Sequence, residues 1–280
     1  AAERLNDAKD FNTFTVNNSQ ESAFSATSTT SARAGSNNIT VSQIAQEQRS
    51  VSNAFASETN AFNANPITVS ISVGSSNPTT TDITVTDPIL QGTVSAINAA
   101  NLGVTAEIVD TGAASDRYRI QLIGETGAEN AFTLTSSDSA LTFSSVQTAT
   151  DAQLNVNGID FTRSSNVIDD VLTGVTLSLN TVTSGTANLS INQDDSQARA
   201  NIVDFVAIYN EAQRQLKELS NSSIGGELAG DSIFRSLTSS LRSLVLGTSS
   251  SASGNVSNLS DMGISVSRTG ELNVDDTKLD

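Results

Sequence analysis

The sequence predicts an α+β fold: two mainly antiparallel β domains, one inserted in the other, and a helical domain that carries a terminal β-hairpin. Three observations predict it. Short runs that alternate apolar with polar residues, closed by Asn, Ser and Gly, recur over the first 190 or so positions. Aromatic residues are only 4% of the 280 and Trp is absent, which favours polar-faced sheets over dense globular packing. Beyond Asp194-Asp195 the period changes, and Ala198, Ile202, Phe205, Tyr209, Ala212, Leu216 and Leu219 follow one another at spacings of 4, 3, 4, 3, 4 and 3.

The elements follow in order. Residues 1–10, "AAERLNDAKD", read as the end of a helix. "FNTFTV", "AFSATST" and "NNITVSQIA", between Phe11 and Val41 or just past it, read as strands, and from Gln43 to Phe55 the pattern loosens into a short helix or an irregular edge. "PITVSISV" puts Ile67, Val69, Ile71 and Val73 on one face, "GSSNPTTT" turns, and "DITVT" returns. Asp87 is placed to cap a helix with Pro88 at its first position, Leu90, Val94 and Ile97 as its buried stripe, and Gly103 closing it. "VTAEIV", "RYRIQLI" and "AFTLTS" complete a self-contained inserted domain.

Alternation resumes in "AQLNVNGIDF", where Asn157-Gly158 forms a tight turn. In "SSNVIDDVLTGVTLSL" the stretch Asn166 to Leu172 reads as a short helix capped by Ser165 or Asn166 and closed by Gly174, ahead of a strand from Val175. A similar ending, Leu102-Gly103-Val104-Thr105, follows the earlier helix, so one helix-glycine-strand device is used twice. "VTLSLNTV" and "TANLSIN" complete the sheet. The heptad-spaced helix expects a helical partner, and Phe234, Leu237, Leu241 and Leu244 in a second helix from Asp231 offer one. "MGISVSRTGELNV" is a hairpin with Ile264 and Val266 facing Leu272 and Val274. The expected domains are 11–62 with 150–193, then 63–149 inserted between them, and 1–10 with 194–280 as the helical part, truncated at both ends. Lacking Met at its start, the chain reads as a central piece of a longer protein.

The chemistry is narrow. No Cys and no His means no disulfide, no thiolate or imidazole catalysis and none of the usual zinc sites, so no cofactor or metal is expected. A formal charge of -16 repels nucleic acid and anionic lipid, and no run of the sequence is long and apolar enough for membrane insertion. The pairs Asp169-Asp170, Asp194-Asp195 and Asp275-Asp276 have the chemistry of calcium ligands or of a glycosidase, but a helix start uses adjacent acids as readily, and sugar sites want stacking aromatics. Tyr118 reads as a half-buried strand residue and Tyr209 as a seam residue whose hydroxyl needs a partner. Burial of a seam residue contributes about 1.5–3 kcal/mol at most against roughly 0–1 for a surface ion pair. Packing surfaces, not reactive groups, therefore carry the expected function.

Five segments together resemble the flagellar filament cap family, also called flagellar hook-associated protein 2. They are "ITVSQIAQEQ", "AINAANLGVTAEIVDTG", "VNGIDFTRSSNVIDDVLTGVTLSL", "IVDFVAIYNEAQRQL" and "MGISVSRTGELNVD", and they fall in the family's order. The resemblance implies a non-enzymatic assembly protein that is exported through the flagellar channel, forms a ring-shaped homo-oligomer at the filament tip, and helps flagellin fold and insert. It implies that the β domains form head plates and that the helices after residue 194 form a leg. Ile202, Phe205, Tyr209, Leu216, Phe234, Leu237 and Leu241 are the expected helix or partner contacts, and Asn157, Gly158, Asn166 and Gly174 the structural motif. Hook-filament junction proteins are further expected partners. A flagellin-like or junction subunit, or a surface adhesin built from the same units, is the alternative, and a carboxylate-dependent glycosidase using Asp169 and Asp170 the remote one.

Overall fold

Alternating β-branched runs become strands, and their turns fall where Asn and Gly allow positive φ. The computed structural model describes residues 13–220, 258–261 and 263–279, with the single positions 236, 239, 240, 243 and 247, in two units: Thr15–Asn192, and Ala1–Phe14 with Gln193–Asp280. In the first unit a five-stranded sheet runs β1 (Phe14–Asn18), β15 (Ala187–Gln193), β3 (Gly35–Gln43), β11 (Ala152–Val156), β12 (Ile159–Arg163). A three-stranded sheet runs β13 (Val167–Leu172), β14 (Val175–Leu179), β2 (Phe24–Ser28). Phe24, Ile39, Leu177 and Leu189 on these strands are completely buried, each with 0% exposure.

The same unit holds a four-stranded sheet, β10 (Phe143–Gln147), β4 (Glu47–Ser52), β8 (Tyr118–Thr126), β7 (Thr105–Asp110), and a three-stranded one, β6 (Thr79–Val85), β5 (Ile67–Val73), β9 (Phe132–Ser136). Helix α1 (Leu90–Ala100) packs with them around one cluster built on Ile67, Val69, Ile71, Leu90, Ile97 and Leu122. The sheets described by ladder pairings are antiparallel, and the α+β class holds.

Three local expectations give way. The stretch from Asn166 to Leu172 is not a helix: Val167–Leu172 is β13, hairpinned to β14 with an irregular register between Ile168 and Leu172. Val167, Ile168 and Val171 are β-branched, and a strand partner outbids the cap signal. Gly174 makes the turn at φ 69, where a Cβ would stand 2.4 Å from the Ala32 nitrogen. So Asp169-Asp170 sits on a strand, and only the earlier copy of the device, α1 into β7, has a helix. Asp87 does not cap α1 either; Ile89 is the N-cap residue without a side-chain bond, and Asn101 at φ 56 closes the helix with Gly103 at φ 73 just after it.

Residues 47–52, expected as an irregular edge or short helix in the first β domain, are the central strand β4, paired with β8 and β10. Its buried face is polar: Gln48, Ser50 and Ser52 are 7%, 5% and 1% exposed. Gln48 donates to the Phe132 carbonyl at 2.6 Å and accepts from the Phe132 amide at 3.1 Å, and Ser52 Oγ accepts the Ile120 amide at 2.8 Å. Buried polar groups are tolerated when bonded in this way.

The second unit has helix α2 (Ser196–Ser220), the hairpin β16 (Ile264–Val266) and β17 (Leu272–Val274), and a last helical turn, Asp276–Leu279. Among the described residues no helix is long and apolar enough to cross a membrane.

Candidate assembly surface

Helix α2 starts where the Asp194 carboxylate meets one of its free amides. The Ser196 amide donates to Asp194 Oδ1 at 3.0 Å, and the Arg199 amide to the Asp195 carbonyl at 2.9 Å. The Ser196 hydroxyl, then its amide, hold the Asp194 carboxyl below its ordinary 3.8. One stripe of the helix is then buried: Ile202, Val206 and Tyr209 are each 7% exposed and pack with Ile264 and Leu272 of the hairpin. Phe205, Leu259, Val266 and Val274 lie against this cluster.

Polar contacts fix the register. Asn210 donates from Nδ2 to the Leu272 carbonyl at 2.9 Å and accepts the Leu272 amide at 2.7 Å, so its carboxamide pairs with β17 as a neighbouring strand would. Gln213, also 7% exposed, donates to the Tyr209 hydroxyl at 3.0 Å. Phe205 and Tyr209 rings stand 6.4 Å apart, and Arg199 pairs with Asp276 at 2.6 Å.

The heptad seam is thereby divided. Ile202 and Tyr209 are buried, Phe205 and Leu216 half-buried, Ala212 exposed and Leu219 38% exposed. Val206 and Gln213, which the seam leaves out, take inside positions, Val206 against the hairpin and Gln213 bonded to Tyr209. Ile208 at 57% and Val203 at 44% face outward. Among the described residues the hairpin packs on this stripe of α2. Phe234, Leu237 and Leu241 lie outside the described residues. The signal that finds Asn210 and Gln213 is an amide spaced one or four residues from buried apolar positions.

The remaining motif residues belong to the Thr15–Asn192 unit. Asn157 at φ 53 and Gly158 at φ 87 turn β11 into β12. Asn166 accepts the Ala45 amide at 2.7 Å and donates to the Ala45 carbonyl at 2.8 Å, and Gly174 turns β13 into β14. An open cleft of about 470 Å³ is lined by Glu47, Glu125, Thr126, Asn130, Ser164 and Ser165. Arg49 holds the Glu47 carboxyl below its ordinary value, and Arg163, 2.8 Å from Asp170, does the same there. Carboxyls kept ionised in this way are acceptors and poor general acids. Among the described residues no three His, Cys, Asp or Glu gather as a metal site.

Residues 149–280 match the family model for the C-terminus of flagellar hook-associated protein 2, and residues 1–48 the model for its N-terminus. The crystal structure of the D1-D2-D3 domains of the Escherichia coli flagellar cap protein superposes with TM-score 0.82 and 31% identity over 99% of this chain and 81% of that one. The chain belongs to the flagellar hook-associated protein 2 family. The hook-associated protein 2 of Escherichia coli strain K12 is 33% identical over 95% of this chain, and the B-type protein of Pseudomonas aeruginosa 28% identical over 99%. The chain spans 62% of the first of these relatives and 65% of the second. The Escherichia coli D2-D3 structure is matched over its full length by 65% of this chain, with TM-score 0.57.

Proposed function

We propose that this protein caps the flagellar filament as a structural assembly subunit. It sits at the filament tip outside the cell, having been exported through the flagellar channel. There it binds copies of itself in a ring and promotes folding and insertion of flagellin. The observation that carries this reading is the superposition with the Escherichia coli cap protein across 99% of the chain. The surface supports it: α2 keeps Val203, Ile208 and Leu219 outward on a helix whose opposite side is already covered. We assign the unit Thr15–Asn192 to two head domains, exchanging near residues 46 and 149, and the second unit to the leg. The Asp169-Asp170 pair is read as strand surface, since Asp170 is bonded by Arg163.

The test is complementation. Full-length protein is expressed in cells lacking their own filament cap, and flagellin shed into the medium is measured beside swimming. Restored filaments with little free flagellin are the expected result. Normal export of the protein with unabated flagellin loss overturns the proposal.

A further inference from the structure

The Asn157-Gly158 turn carries a latent chemical site that the cap reading does not use. In an Asn-Gly pair the glycine nitrogen has no side chain shielding it, so it can attack the preceding carboxamide. The Gly158 amide gives up its proton to water and its nitrogen bonds to Asn157 Cγ. The carboxamide nitrogen takes a proton back from water and leaves as ammonia, and a five-membered succinimide remains. Water then opens the ring at one carbonyl or the other, producing aspartate or isoaspartate, with no oxidant or reductant involved. Asn157-Gly158 is the one Asn-Gly pair in the 280 residues.

Both reacting groups are tied down in the fold. The attacking Gly158 N–H donates to Asn155 Oδ1 at 2.9 Å. The attacked carboxamide is held at both ends: its Oδ1 accepts the Asn38 amide at 2.9 Å, and its Nδ2 donates to Asn37 Oδ1 at 2.9 Å. The Asn157 amide donates to the Asn38 carbonyl, also at 2.9 Å, so β3 grips the turn by backbone and side chain together. Access is not what protects it. Asn157 and Gly158 are exposed, and nothing lies within 4 Å of where a Gly158 Cβ would be.

We propose that Asn157 is a deamidation site gated by folding: reactive in the unfolded chain, and held unreactive in the native turn by Asn37, Asn38 and Asn155. Once modified, the turn cannot re-form as it was. An aspartate at 157 loses the donor to Asn37 Oδ1 and sets two acceptors face to face. An isoaspartate adds a main-chain carbon to a two-residue turn that fixes the register of β11 with β12. The gate therefore separates chains that folded promptly from those that lingered unfolded.

Peptide mass mapping with isoaspartate-specific enzymatic methylation reads the modification over time at mildly alkaline pH. Full-length protein is incubated in native buffer and in guanidinium. The expected result is a native rate lower by about tenfold or more, which corresponds to about 1.4 kcal/mol of opening free energy. In native buffer, Asn155→Ala and Asn37→Ala each raise the rate at 157 while leaving the rate in guanidinium unchanged. Equal native and denatured rates for the unaltered protein overturn the proposal, and this arm requires no variant to fold. Folded variants, verified by circular dichroism, that deamidate no faster than the parent overturn it as well.

Discussion

Replacing Asn166 by Ala removes two bonds that no apolar packing can restore. The Ala45 residue it serves is 3% exposed, so its amide and carbonyl lose their partner away from water. Each neutral bond contributes about 0.5–1.5 kcal/mol net, and an orphaned buried group costs about 1–3 kcal/mol. Partial relaxation brings the expected loss to about 3 kcal/mol. For a unit the size of Thr15–Asn192 that lowers the melting temperature by about 6–12 °C. Asn166→Asp keeps an acceptor for the Ala45 amide and loses the donor, so it falls between parent and Ala. Scanning calorimetry paired with urea titration reads both variants. A shift below about 1 °C for Asn166→Ala, against these magnitudes, refutes the idea that this carboxamide ties residue 45 to the β13–β14 hairpin.

Gly174→Ala is expected to cost about 2–4 kcal/mol, since φ 69 disfavours a side chain and the new Cβ would stand 2.4 Å from the Ala32 nitrogen; a urea midpoint within error of the parent contradicts this. Leu272→Ala, at a site 2% exposed, should cost about 2–5 kcal/mol and release the hairpin, read as faster amide exchange in 264–274 with the Thr15–Asn192 amides unchanged. Acid should destabilise the protein: Asp170, bonded to Arg163, Asp194, bonded to Ser196, and Asp275, bonded to Thr277, all titrate below their ordinary 3.8. A depressed folded-state value gives stability above the unfolded value that is lost as pH falls through the folded one, so melting temperature drops below about pH 4. A melting temperature that rises steadily to lower pH, from relief of the -16 charge alone, goes against this. Ile208→Glu, on a residue 57% exposed, changes stability by no more than about 0.5 kcal/mol yet should abolish complementation.

Sequence reading succeeded where inward positions are apolar and failed where they are not. Ile67, Val69 and Ile71 alternate cleanly and all are buried, and Leu90, Val94 and Ile97 mark one helix face, as their spacing requires. In β4 the inward residues are Gln48, Ser50 and Ser52, so a hydrophobic period reads the strand as an edge. The β13 segment failed for another reason: its register breaks between Ile168 and Leu172, and the break erases the alternation that marks a strand. On α2 two of the seam residues, Ile202 and Tyr209, are buried. The partner lies 62 residues away for Asn210 and Leu272, and no local pattern encodes a contact of that separation.

One side-chain arrangement recurs among the described residues. Gln48 with Phe132, Asn98 with Ala106, Asn166 with Ala45 and Asn210 with Leu272 each make the same arrangement: one carboxamide accepts the amide and donates to the carbonyl of a single residue. Each side chain thus satisfies a backbone pair that would otherwise need a further strand. A chain with 4% aromatics has few large side chains to seal the ends of its sheets against water, and a short amide closes them without added bulk. Asn98 on α1 lies five residues before Gly103 and binds Ala106, whereas Asn166, just ahead of β13, lies eight before Gly174 and binds Ala45. The two segments thus share an asparagine clamp ahead of a glycine turn, while the spacing, the clamped residue and the secondary structure between them differ.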